Sequence, residues 1–503
     1  MRAARDTTRP APGLSKSRYQ AGLQCPKRLW LECYRRELAD AIDEATQALF
    51  DQGHRVGELA RERFGGGVLV AEDYTRSAAA LATTERLLLH GAECLYEPAF
   101  RYDGVFVRCD ILVRRPDGWD LIEVKSTSKA KPEHVTDCAI QAYVAQGFGL
   151  PIARAYVMHL DTDYVYAGGP YDLEQLFRLV DVTAEVRRLL PDIPRELAQM
   201  KAILLADCPE RTIGGHCSAP YDCGFIGHCH AFLPDYPVTE IPRIKPEVVG
   251  ELLAAGIYGI HDVPPNHPVL TPLQRTVCHV IQSGEPRYGN GLADELARLA
   301  HPIHFLDFET WMPALPVHPG TRPYQMLPVQ WSCHTLHADG TITHQEFLHE
   351  EPSDPRPAFA ESLLAALESE ATGVECPIVV YTGFENRVLR SLAEELPEWA
   401  PRIEALQTRL VDLEKMIRNH VQHPGFHGRT SLKFVLPAIV DDISYDGLAI
   451  ANGAVATRRY EAAILDGLGD LQRRQIFADL RAYCAVDTLG MVRLVEELVE
   501  RCS

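Results

Sequence analysis

Prolines divide this chain. PDYPVTEIPRIKP occupies residues 234–246 and VPPNHPVLTP occupies residues 263–272. Each proline fixes φ and removes a backbone donor, so neither a helix nor a strand ladder runs through such a passage. A single core cannot continue across it, and 503 residues exceed one ordinary core in any case. We therefore expect an α/β chain of two principal domains, residues 14–235 and 299–503, joined by a small helical linker over 236–298. Within the linker, EVVGELLAAGIYGIHDVPP reads as a helix followed by a Gly-Ile-x-Gly-Ile turn. It is either a simple helical spacer or one helix-hairpin-helix element, whose turn can offer backbone N–H groups to a phosphate.

Composition narrows the class. No uncharged apolar run approaches the roughly 18 residues of a membrane span. The opening MRAARDTTRPAPGLSK has no apolar stretch and reads as a loose leader rather than a signal peptide, so a cytoplasmic protein without membrane contact is expected. Lys plus Arg total 50 against 69 Asp plus Glu, a formal charge of -19. This argues against coating nucleic acid by bulk charge, but not against gripping it in a local basic groove. Fourteen cysteines in a reducing compartment point to metal where they cluster. Scattered ones such as Cys33, Cys94, Cys278 and Cys376 read as small buried apolar residues.

Three segments carry chemistry. In VFVRCDILVRRPDGWDLIEVKST, alternating apolar residues predict two strands with RPDGW as their turn. Asp110 falls on the first strand. Glu123 and Lys125 fall two apart on the second and share a face. Paired carboxylates on neighbouring strands suit a hard cation such as Mg²⁺ or Mn²⁺. Cross-strand charge pairing is the plainer alternative, but the apolar flanks of DLIEVK place these charges where burial needs a reason. In GGHCSAPYDCGFIGHC, Cys217, Cys223 and Cys229 stand at equal intervals. A closed metal site needs a fourth thiolate. Cys25 is the first choice and Cys208 its rival, while His216, His228 and His230 keep a zinc site open beside a [4Fe–4S] cluster. In the last segment, HPIHFLDFETW puts Asp307 and Glu309 on one face of a strand. Glu385 opens a later helix, and Tyr483 and Asp487 share a helix face at i and i+4. Such gathered carboxylates repel one another unless a cation sits among them. Lys433 in GRTSLKFVLPAI either contacts phosphate or is simply solvated.

The first pattern, Asp110 to Glu-Val-Lys followed by a helix with Gln141 and Tyr143, resembles the PD-(D/E)xK nuclease superfamily in its RecB-like, restriction-endonuclease-type branch. By that resemblance His54, from FDQGHRVGELA, would bind metal with Asp110 and Glu123. Lys125 would position the attacking water and Gln141 would support it. One cysteine before the core and three after it resemble the iron–sulfur staple of such nucleases, including the CRISPR-associated exonucleases, although two gaps of five replace their usual spacing. The last pattern resembles the DEDD exonucleases of the RNase H-like fold, in the subclass with a tyrosine. It implies Asp307, Glu309, Glu385 and Asp487 as ligands of two metals and Tyr483 as the residue orienting water; Glu385 stands where that pattern has Asp. From about Leu14 to Val499 the chain resembles a bacterial family of uncharacterised reaction that fuses the two domains, as DISYDGLAIANGAVAT also suggests. The implied function is hydrolysis of DNA, or of both DNA and RNA, 3′-to-5′ at the second site, with a helicase, repair or defence partner left open. The alternatives are a nucleic-acid-binding adaptor with a degenerate site, and a redox sensor built on the cluster.

Overall fold

The computed structural model describes residues 12–368 and 376–502. Residues 1–11 of the expected leader lie outside these. Its remainder is not loose: Leu14–Ser15 forms a short strand parallel to Val105–Arg108, and Lys16 opens a helix. The fold is mixed α/β. No described helix is long and apolar enough to cross a membrane. The chain forms two compact units. The first runs through Phe232 and includes Ala314–Gln325; the second comprises Leu233–Pro313 and Met326–Ser503. The expected linker, 236–298, thus groups with the second unit.

The first unit holds a six-stranded sheet of β1 (Val68–Leu69), β2 (Cys94–Tyr96), β3 (Ile111–Arg115), β4 (Gly118–Lys125), β5 (Ile152–Leu160) and β6 (Phe177–Asp181), in that order. β3 and β4 form the expected hairpin, closing with Arg115 opposite Gly118. Glycine is required there: φ is 143°, and a Cβ would lie 2.7 Å from the Pro151 carbonyl. β4 reads GWDLIEVK with all but its ends buried, because β5 lies parallel on its other edge and helices α1 (Lys16–Gln24), α2 (Glu44–Glu62) and α3 (Pro132–Phe148) flank the sheet. Ser15 caps α1 and Asp43 caps α2 by accepting from backbone N–H groups.

The second unit holds β7 (Ile303–Trp311), β8 (Leu327–Leu336), β9 (Ile342–Leu348), β10 (Ile378–Val380) and β11 (Leu410–Asp412) in the spatial order β9-β8-β7-β10-β11. β8 is antiparallel to both β7 and β9, and β10 and β11 are added in parallel beside β7. Every residue of β8 is buried. Gln330 and Ser332 lie opposite Glu309 and Asp307 of β7, and both bond to the last helix, α6 (Asp470–Cys502). Gln330 Nε2 donates to the Leu480 carbonyl at 3.0 Å, and the Ser332 and Thr488 hydroxyls lie 2.8 Å apart. These polar groups, costly if left unpaired, fix α6 on the sheet face that carries the β7 carboxylates.

In the segment 236–298 a helix Pro246–Ala254 ends at Gly256, with φ +78°. A single turn Ile260–Asp262 follows, and the next long helix starts only at Pro272. The two helices therefore do not form a tight hairpin.

Candidate functional site

In the second unit, alternation on β7 turns Asp307 and Glu309 to the same side. A register shift between Glu309 and Thr310 bends the strand at that point. α6 supplies Tyr483 and Asp487. Among the described residues, Asp307, Glu309 and Asp487 are the group whose potential ligand atoms all fall within 4.8 Å of one another. Glu385, second residue of α4 (Phe384–Glu395), is 2 % exposed, and its Oε2 is buried with no hydrogen-bond partner. Burial first, then the Asp487, Glu385 and Glu309 charges, drives Asp307 well above the carboxylate range. Burial and Asp487 push Glu309 to about 8, while Lys433 opposes them. Burial lifts Glu385 to about 8 and Asp487 to about 6. A buried orphan oxygen beside three crowded carboxylates is a donor set that fits hard divalent cations.

Two further residues close over this cluster. Tyr445, on the loop before the helix Gly453–Leu465, donates its hydroxyl to Asp487 Oδ1. Lys433 Nζ lies 5.6 Å from the Tyr445 ring centroid and 5.4 Å from that of Tyr483, and donates to the Ala451 carbonyl. Lys433 is therefore tied into the site rather than loosely solvated. Tyr445 carried no periodic signal of its own.

In the first unit, Asp110 lies one residue before β3 rather than on it. It still meets the hairpin, because Val124 N–H donates to Asp110 Oδ2 at 2.6 Å. Glu123 is 1 % exposed and fully engaged. Its Oε1 takes Lys16 and Lys125, each at 2.8 Å, and its Oε2 takes Gln141 Nε2 at 2.6 Å. Lys125 also pairs with Asp137 at 2.7 Å, and Gln20 donates to the same carboxylate at 2.9 Å. Burial opposes ionisation of Glu123, but Lys16 and Lys125 outweigh it and hold the group far below its usual range. Asp110 moves the other way, to about 7, through burial and the Glu123 charge. His54 shares with Asp110, Glu97 and Arg61 a cavity of about 230 Å³ that Glu123 does not line. Glu123 bonds to Lys125 and Gln141, and its charge still acts on Asp110. Tyr143 turns away to Asp103. Lys16, Glu97 and Asp137 were not legible as site residues. The only local sign at Glu97 is its position before Pro98, and its positive φ of 57° emerges only in the fold.

Among the described residues the cysteines form no close cluster, although the four expected ones share a cavity wall. Cys25, Cys217, Cys223 and Cys229 line one small cavity together with His216. Cys208 is absent from its lining but packs on the neighbouring Trp30, Leu31 and Phe225 cluster, and His228 and His230 are not part of the wall. Burial raises the Cys223 and Cys229 thiols, so a cation is needed to hold them as thiolates. These sulfurs form no group within 4.8 Å, whereas four zinc-bound sulfurs at Zn–S near 2.3 Å would stand about 3.8 Å apart. Of the scattered cysteines, Cys278 and Cys376 are buried, and Cys33 and Cys94 are partly so.

Residues 304–431 match a protein family described as a domain of unknown function (DUF2779). That span contains Asp307, Glu309 and Glu385 and ends before Tyr483 and Asp487. A stretch of 171 residues is 25% identical to an uncharacterized protein of Ureaplasma parvum serovar 3, covering 30% of this chain and 25% of that protein. The chain therefore matches about a quarter of that relative's length.

Proposed function

We propose that the chain is a metal-dependent nuclease that hydrolyses phosphodiester bonds of DNA or RNA, with an RNase H-like 3′-to-5′ exonuclease centre in its second unit and a RecB-like centre in its first. The observation that carries this reading is the carboxylate set: three acids within 4.8 Å of one another and Glu385 with an orphaned buried oxygen. The sheet order β9-β8-β7-β10-β11, which is that of an RNase H-like sheet, supports it. Asp307, Glu309, Glu385 and Asp487 would hold Mg²⁺ or Mn²⁺, which when bound neutralises charge on the entering and leaving oxygens. Tyr483 orients the nucleophilic water, and Lys433 meets the strand's phosphate. In the first unit His54, Asp110 and Glu123 would hold the cation, with Lys125 beside the water and Gln141 supporting it. The cysteines would staple the two ends of that unit around a [4Fe–4S] cluster, zinc being the alternative. The cytoplasm, where thiols stay reduced, is the compartment this chemistry needs.

A second reading of the first unit has its own observation. Both Glu123 oxygens are already occupied by Lys16, Lys125 and Gln141, which suits a module that holds nucleic acid without cutting it. One gel separates the two. Protein purified without oxygen is given 5′-labelled single strands of DNA and RNA with Mg²⁺ or Mn²⁺, as wild type, Lys125→Ala and Asp487→Ala. A shortening ladder lost only in Asp487→Ala assigns the activity to the second unit and makes the first a holder. A ladder lost only in Lys125→Ala reverses that assignment. No cleavage by wild type with either metal overturns the nuclease reading.

A further inference from the structure

The second unit contains a cavity of about 310 Å³ that none of the carboxylates Asp307, Glu309, Glu385 or Asp487 lines. Its walls come from the Pro-rich segment, from the helix Pro272–Ser283, and from the chain between α5 (Leu413–His420) and Thr430. The floor is apolar, built by Val277, Val280, Val421 and the ring of Phe426. At its lip Leu273 is 46 % exposed.

The polar groups on the wall are of a restricted kind. Arg418 is matched by Glu414 at 3.2 Å, and Glu414 also accepts from the Thr430 hydroxyl at 2.6 Å. Arg243 and Arg429 line the same cavity, are exposed, and have no carboxylate within ion-pairing distance among the described residues; the Arg429 guanidinium lies 4.6 Å from the Phe434 ring centroid, a stacking that leaves its N–H edges open. Neither guanidinium is ion-paired at this cavity among the described residues, although the chain carries a net charge of -19. They offer planar, forked donors suited to a phosphate. Asn419 and Gln422 add side-chain amides that can both donate and accept.

The wall is also held in a costly conformation. Arg243 sits at φ 51°, Tyr236 at φ 54° and His427 at φ 48°, the left-handed region that non-glycine residues avoid. The Tyr236 and His427 rings stack at 4.5 Å with planes 1° apart, and His427 Nδ1 lies 3.0 Å from Glu240 Oε2. Gly428 takes φ 68°, and any Cβ there would stand 1.7 Å from the Glu240 carbonyl oxygen. These contacts hold the segment bearing Arg243 against the segment bearing Arg429. Strain maintained by surrounding contacts is found at ligand clamps and switch regions.

We propose that this cavity binds a nucleoside 5′-monophosphate unit. Its ring lies on the Val277, Val280 and Phe426 floor, its edge meets Asn419 and Gln422, and its phosphate meets Arg243 and Arg429. The volume suits one such unit, and an apolar lining with a few convergent polar groups is the usual make-up of a small-ligand site. The choice of a nucleotide among phosphorylated ring compounds rests on the nuclease reading; the binding does not, since it requires neither metal nor hydrolysis. The unit can be a free mononucleotide or the 5′-phosphorylated terminus of a strand.

The test is calorimetric titration of the full chain in EDTA with each 5′-mononucleotide, inorganic phosphate, ribose 5-phosphate, and a 5′-phosphorylated tetranucleotide. At least one mononucleotide is expected to saturate at one per chain. Arg243→Ala and Arg429→Ala should each weaken it at least tenfold, and Val277→Trp, which fills the floor, should remove it. Both arginines are exposed, so unchanged circular dichroism is expected for their alanine variants. Tetranucleotide binding with the same sensitivity would identify the strand terminus as the source. Binding confined to mononucleotides would identify the free nucleotide. Either supports the site. The proposal is overturned by no saturable binding of any nucleotide probe, by binding indifferent to both arginine variants, or by inorganic phosphate or ribose 5-phosphate binding as tightly as the mononucleotides. Loss of cleavage with nucleotide binding intact would count against the nuclease reading alone.

Discussion

Glu309→Gln should stabilise the metal-free protein. Glu309 stands beside Asp487 on a partly buried face, and burial with that neighbouring charge lifts it from the ordinary 4.5 to about 8. An acid whose proton affinity is raised by folding binds more protons in the folded than in the unfolded state. Stability is then lost as pH rises from the unfolded value towards the folded one. Each tenfold change in proton affinity is worth about 1.4 kcal/mol. Between 4.5 and pH 7 the cost reaches roughly 3 kcal/mol, or about 2 kcal/mol once partial exposure is allowed for. Glutamine has the shape of the protonated acid and no charge to suppress, so the variant escapes this cost. For a unit of this size, about 2 kcal/mol corresponds to roughly 4 °C in Tm. The two units need not unfold together, so the assay is hydrogen exchange of β7, β8 and α6 in EDTA, alongside thermal unfolding at pH 5.5 and 8. Wild type should lose protection between those values and recover it with Mg²⁺; Glu309→Gln should show a flatter pH response and a weaker Mg²⁺ effect. A variant no more stable than wild type at pH 8 in EDTA would refute the view that these carboxylates are crowded and waiting for a cation.

Lys16→Met removes one of two cations from a nearly inaccessible carboxylate and should destabilise the first unit by about 3 kcal/mol, read as faster exchange in β4 and α3; unchanged exchange would show that Lys125 alone suffices. Tyr445→Phe deletes the donor to Asp487 and should raise that acid's proton affinity while weakening the metal-free fold by about 1.5 kcal/mol, visible by carboxyl-carbon NMR titration; an unmoved titration would place the hydroxyl elsewhere in solution. Cys223→Ala should lose the bound metal and loosen the first unit ahead of the second. Iron with labile sulfide in wild type supports the cluster, zinc alone supports the alternative, and metal content unaffected by the substitution would detach Cys223 from the site.

Local periodicity reached the pieces of both centres. A period of two places Asp307 with Glu309 and Glu123 with Lys125, and a spacing of four places Tyr483 with Asp487. These relations depend only on strand and helix geometry, so they survive any tertiary arrangement. The turn RPDGW closes the hairpin for the same reason. What periodicity cannot contain is the partner of a residue far along the chain. Lys16 and Glu123 are 107 positions apart, and Tyr445 and Asp487 are 42 apart. Nothing in either neighbourhood specifies the other. Tertiary packing alone brought His54 and Asp110 to one cavity, tied Lys433 between two tyrosines, left Glu385 Oε2 unpaired, and carried Ala314–Gln325 into the first unit from between two strands of the second. The types of chemistry were set by residue identity and short-range geometry. Which charges are paired and which are crowded was decided by burial, because desolvation and neighbour charge exist only once distant segments meet.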